Sequence, residues 1–79
     1  MNREYYEILY RKYPDVVTLK QLRKMLGGIA ERTALKLMQD NVIEHFYIRQ
    51  EYLIPKVLLI DFVVSEYYQE YKKLLKHTV

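Results

Sequence analysis

The chain has 79 residues, 51% of them hydrophobic, no cysteine, a formal charge of +3 and a pI of about 9.1. That length fits one domain, and that apolar content argues against disorder. The lack of cysteine excludes disulfide staples and cysteine-based zinc sites, and it suits a reducing intracellular setting.

Tyr6, Leu9, Tyr10 and Tyr13 fall at helical spacing, so a first helix is expected over residues 2–13 with Pro14 ending it. Pro14-Asp15 reads as a turn or extended link. Thr18-Leu19-Lys20-Gln21 has the form of a capping box and opens a second helix, whose buried face is Leu19, Leu22, Met25 and Leu26. Gly27-Gly28 stops it, because glycine accepts the left-handed backbone that a helix end needs. A third helix is expected from about Ala30 to Asp40, with Ala34, Leu35, Leu37 and Met38 inward and Asn41 tolerating the positive φ at its end. Two short helices around a glycine turn are the sequence form of a helix-turn-helix.

The period then changes. Val42 to Ile48 is rich in branched and aromatic residues and reads as a strand; Arg49-Gln50-Glu51 reads as a turn and Tyr52-Leu53-Ile54 as the returning strand. Pro55 suits the first position of a final helix, expected over residues 56–77 with Ile60, Val64, Tyr67, Tyr71 and Leu74 on one stripe. The expected fold is mainly α with a two-stranded β wing. It is a single winged helix-turn-helix domain over 1–79, with a core at 13–63 and flanking helices at 2–13 and 56–77.

Between Thr18 and Lys56 basic residues outnumber acidic ones seven to four, an excess equal to the whole formal charge of +3. A basic centre between neutral ends points toward a polyanion. Glu31, Arg32, Thr33, Lys36 and Gln39 fall on the outer face of the third helix. Arg and Lys can donate to guanine edges, Gln can pair with adenine, and a Thr methyl can touch that of thymine. Lys20, Arg23 and Lys24 on the preceding helix, with Lys56, suit phosphate contacts. Arg49 and Gln50 form the wing tip, where the negative potential of a minor groove attracts arginine.

The pieces Tyr13-Pro14-Asp15-Val16-Val17-Thr18, Leu26-Gly27, Glu31-Arg32-Thr33-Ala34, Phe46-Tyr47-Ile48-Arg49 and Tyr52-Leu53-Ile54-Pro55 come in an order that resembles the excisionase-type winged helix-turn-helix family. The resemblance covers about Tyr13 to Val63. It implies binding to double-stranded DNA, either as an excisionase working with an integrase or recombinase or as a small transcriptional regulator of a mobile element. It also implies a fold related to MerR-type regulators. The family carries a glycine before the wing arginine, where this chain has Ile48, and a polar cap before the recognition helix, where this chain has Ala30.

No enzyme activity, cofactor, metal or small-molecule substrate is expected. His45 and His77 lie far apart with no ligand cluster, and Ser65 stands in a predicted helix away from any acid–base partner. The tyrosines of the terminal helices are expected to pack on one another. The wide apolar stripe of the final helix suggests homodimerisation through it. The charged start and the short apolar runs suit a soluble cytoplasmic, nucleoid-associated protein of bacterial or phage origin, without membrane contact. The competing expectation is a protein-interaction module that uses the same fold without DNA.

Overall fold

The computed structural model describes residues 2–70 and 72. The elements run α1 (Arg3–Leu9), β1 (Val16–Thr18), α2 (Leu19–Met25), α3 (Glu31–Gln39), β2 (Phe46–Ile48), β3 (Glu51–Pro55) and α4 (Lys56–Val63). Residues 66–70 and 72 are helical again.

Local chemistry sets the helix ends. The Thr18 hydroxyl accepts from the Gln21 amide, and Gln21 Oε1 accepts from the Thr18 amide at 2.9 Å, which closes the capping box. At the other end of α2 the Gly27 amide donates to Lys24 O and the Gly28 amide to Arg23 O, at 3.1 and 2.7 Å. This is a Schellman closure, and Gly27 and Gly28 take φ of +88° and +81° to make it. The end of α3 repeats the device. Asn41 takes φ 54°, and the Asn41 and Val42 amides donate to Met38 O and Leu37 O. The α2–α3 unit therefore forms where the sequence places it.

The sheet differs from the expected two-stranded wing. It has three antiparallel strands in the order β1-β3-β2. Val16–Thr18, to which the sequence reading assigned no element beyond Thr18 as the cap of α2, pairs with β3 in the register Val16↔Pro55, Val17↔Ile54 and Thr18↔Leu53. On the β2 side the register is Phe46↔Leu53, Tyr47↔Tyr52 and Ile48↔Glu51. The strand expected over Val42 to Ile48 is confined to its last three residues. The Schellman bond holds the Val42 amide, and Ile43 drops into the core, 1% exposed, from irregular backbone. Pro55 ends β3 as the cap of α4, so Lys56 takes the first helical position.

The expected continuous helix over 56–77 breaks at Val64–Ser65. Ser65 Oγ donates to Phe62 O and accepts from the Tyr68 amide at 3.3 Å, so one hydroxyl ends α4 and caps the turn that follows. Gln69 Nε2 satisfies the Val63 carbonyl at 3.2 Å. Positions 71 and 73–77 of the expected helix lie outside the described residues.

The core gathers Val17, Leu22, Leu37, Met38, Ile43, Ile54, Leu59 and Val63, each less than 2% exposed. Tyr6 and Tyr10 from α1 join it, as does Tyr68, whose ring meets Phe62 edge-on at 5.1 Å. The first helix is shorter than expected, and residues 10–13 continue as turns. Leu9, expected on its inner stripe, faces solvent with Tyr5 and Ile8. Arg3 reaches across to pair with Asp61, tying α1 to α4.

Candidate nucleic-acid interface

The helix α3 buries Ala34, Leu37 and Met38 and leaves its other side to solvent. Arg32, Lys36 and Gln39, at i, i+4 and i+7, project from one stripe. With Glu31 and Leu35 they line an open groove along the helix. Glu31, Arg32, Lys36 and Gln39 are exposed, and Thr33 is half-buried. Of the five residues expected to recognise bases, the structure thus brings four together and sets Thr33 outside the groove. Leu35, expected to point inward, is half-buried and forms part of its floor.

The Lys36 ammonium pairs with the Asp40 carboxylate at 3.1 Å, one turn along the helix. Both groups are exposed, so the pair is weak and can open toward a ligand. Ala30 stands in extended backbone before α3 with no side-chain cap, which leaves the first amides of the helix open.

The residues expected to touch phosphates separate into two groups. Lys20 and Lys24 are exposed on α2. Arg23 is not a free surface cation: its Nε donates to Ile29 O at 2.9 Å and braces the α2–α3 turn. Lys56 departs further from expectation. Its ammonium donates to Tyr13 O at 2.8 Å and to Tyr10 O at 3.4 Å. It lies in a separate groove with Arg3, Glu7, Arg11 and Asp15, where it closes the carbonyl end of the first helix against α4. Its charge is used inside the fold, and nothing brings it to α3.

Arg49 and Gln50 form the two-residue tip between β2 and β3, both exposed. Their φ values are 53° and 64°, which makes a type I′ turn without the usual Asn-Gly. The hairpin thus turns on Arg49 and Gln50 with no glycine in its loop. This conformation strains the tip, because a left-handed residue other than glycine costs about 1–2 kcal/mol.

The sequence reading placed the three residues leading into that tip in a strand but did not foresee their exposure. Phe46, Tyr47 and Ile48 are all exposed. The run of apolar residues without polar alternation was the available signal. His45 is structural: its Nδ1 lies 2.7 Å from Ile43 O and its ring packs edge-on against Tyr52 at 5.4 Å.

Among the described residues no group of His, Asp and Glu side chains gathers as a metal site, and no helix is long and apolar enough to cross a membrane. Comparison of the chain with protein-family models, with curated proteins and with solved structures finds no match.

Proposed function

We propose that this protein binds double-stranded DNA in a sequence-specific manner as a winged helix-turn-helix domain, with α3 as the recognition helix. The observation that carries the reading is the two-sidedness of α3: one face is locked into the core, and Arg32, Lys36 and Gln39 stand exposed on the other, Lys36 in a solvent-exposed pair with Asp40. A helix so mounted fits a major groove, where those side chains can meet base edges. Lys20 and Lys24 on α2 suit the flanking phosphates, and the wing tip at Arg49 and Gln50 suits the neighbouring minor groove. The three-stranded sheet is compatible with a winged helix, β1 bracing the hairpin from the core side. The role proposed with this fold is that of an excisionase acting beside an integrase, or of a small regulator of a mobile element. The homodimer expected through the final helix rests partly on residues outside those described.

A gel-shift salt titration tests the reading. Affinity is expected to fall steeply with salt, because phosphate contacts release counterions. Arg32→Ala and Lys36→Ala are each expected to weaken binding to a site selected from random duplexes by about 1–3 kcal/mol. Salt-insensitive or absent binding would favour the protein-interaction module, and unchanged affinity in both variants would remove α3 from the groove.

A further inference from the structure

We propose that Asp40 sets the sequence specificity of α3 by withholding the Lys36 ammonium from DNA phosphates and releasing it to a base edge, an inference that rests on α3 being the helix that reads DNA. The Lys36 ammonium lies 3.1 Å from the Asp40 carboxylate, and both side chains are exposed. Arg32, in the same groove as Lys36, has no ion-pair partner among the described residues. The pair is poorly placed to stabilise the helix. Asp40 is the C-cap of α3, where the negative end of the helix dipole opposes a carboxylate. A cation followed four positions later by an acid is also the weaker order of a helical ion pair. What the Asp40 carboxylate does control is the nearest cation.

The two kinds of acceptor on DNA meet this pair differently. Lys36 and Asp40 together carry no net charge, so the closed pair releases no counterion at a phosphate. A phosphate that takes the ammonium brings a full negative charge close to the carboxylate, and the repulsion grows with the product of the charges. The O6 and N7 acceptors of guanine belong to a neutral base and carry only partial charge. Lys36 can leave Asp40 for them against far less repulsion. Phosphates are alike at every site, whereas base edges are not. Asp40 therefore weakens binding to arbitrary sequence more than binding to the cognate site, and specificity is that difference.

Gel shifts of the whole chain on two duplexes test it, one carrying a site selected from random sequence and one with that site scrambled. Asp40→Asn keeps the size of the side chain and removes its charge. At about 0.1 M salt it is expected to raise affinity for the scrambled duplex about fivefold and to steepen the log–log salt slope by about 0.9, the signature of one more phosphate contact. Affinity for the selected site is expected to rise by less than about twofold, because opening an exposed pair costs little. In a Lys36→Gln background Asp40→Asn is expected to leave the salt slope unchanged, which separates the pair from a general effect of charge. Equal gains on both duplexes, or a steeper slope that persists without Lys36, overturn the inference and leave α3 on DNA. Affinity lost at the selected site alone also overturns it and makes Asp40 a direct base contact. A wild-type chain that binds neither duplex removes the DNA reading and this inference with it.

Discussion

The Tyr10 hydroxyl donates to the Met25 carbonyl across 2.8 Å in the buried core. Met25 is the last residue of α2, so its carbonyl has no acceptor role within the helix. One phenol therefore closes the end of α2, and it does so from the segment after α1, fifteen positions away in sequence. The α2–α3 unit is held in place partly by this bond.

Tyr10→Phe keeps the ring and removes the donor. It is expected to cost about 1–3 kcal/mol in urea unfolding, because a buried carbonyl loses its partner. A cost near zero would mean that water replaces the hydroxyl.

The same residue sets an alkaline limit. Burial, reinforced by the neighbouring tyrosines Tyr68, Tyr6, Tyr13 and Tyr5, pushes the Tyr10 phenol well above its usual value near 10, and burial pushes Tyr68 up as well. The folded state holds these protons more tightly than the unfolded chain. Their contribution is complete below about pH 10 and is lost as pH rises beyond it, by about 1.4 kcal/mol per pH unit for each group. Unfolding followed from pH 8 to 12 is expected to show that fall, less steeply in Tyr10→Phe. Parallel curves for the two proteins would contradict it.

Ala30 leaves α3 uncapped while holding the extended backbone, φ −64° and ψ 151°, that a cap requires. Ala30→Ser is expected to stabilise the fold by about 1 kcal/mol, read as a higher urea midpoint with an unchanged slope. A lower midpoint would show that the hydroxyl cannot reach the open amides.

Gln50 holds φ 64° in the turn between β2 and β3. Gln50→Gly relieves that strain and is expected to stabilise the protein by about 1 kcal/mol. If Gln50 also reaches DNA, affinity drops in the gel shift while the melting temperature rises, and that divergence separates the two roles.

Arg23 and Lys24 are neighbours in sequence with different duties. Arg23→Ala breaks the bond to Ile29 O and is expected to cost about 1 kcal/mol of stability. Lys24→Ala is expected to leave stability within about 0.5 kcal/mol, because its side chain is exposed. Equal melting temperatures in the two variants would remove Arg23 from the turn.

The sequence by itself determined the local events. The capping box at Thr18, the stops at Gly27-Gly28 and Asn41, and the inner faces of α2 and α3 are written in residues one to five positions apart. Their hydrogen bonds close within a single turn of chain, so propensity and spacing suffice to find them. The exposed stripe of Arg32, Lys36 and Gln39 followed from the same arithmetic. The tertiary structure decided whatever needed a distant partner. Val16–Thr18 becomes a strand because Leu53, Ile54 and Pro55 lie beside it. Leu9 faces solvent because Tyr6 and Tyr10 take the inward positions. Lys56 looked like one more phosphate ligand until its ammonium met two carbonyls from the far end of the chain. Three residues carry too little pattern to announce a strand, and a long cation carries no sign of which acceptor it will find. Both are settled by which surfaces the core brings together.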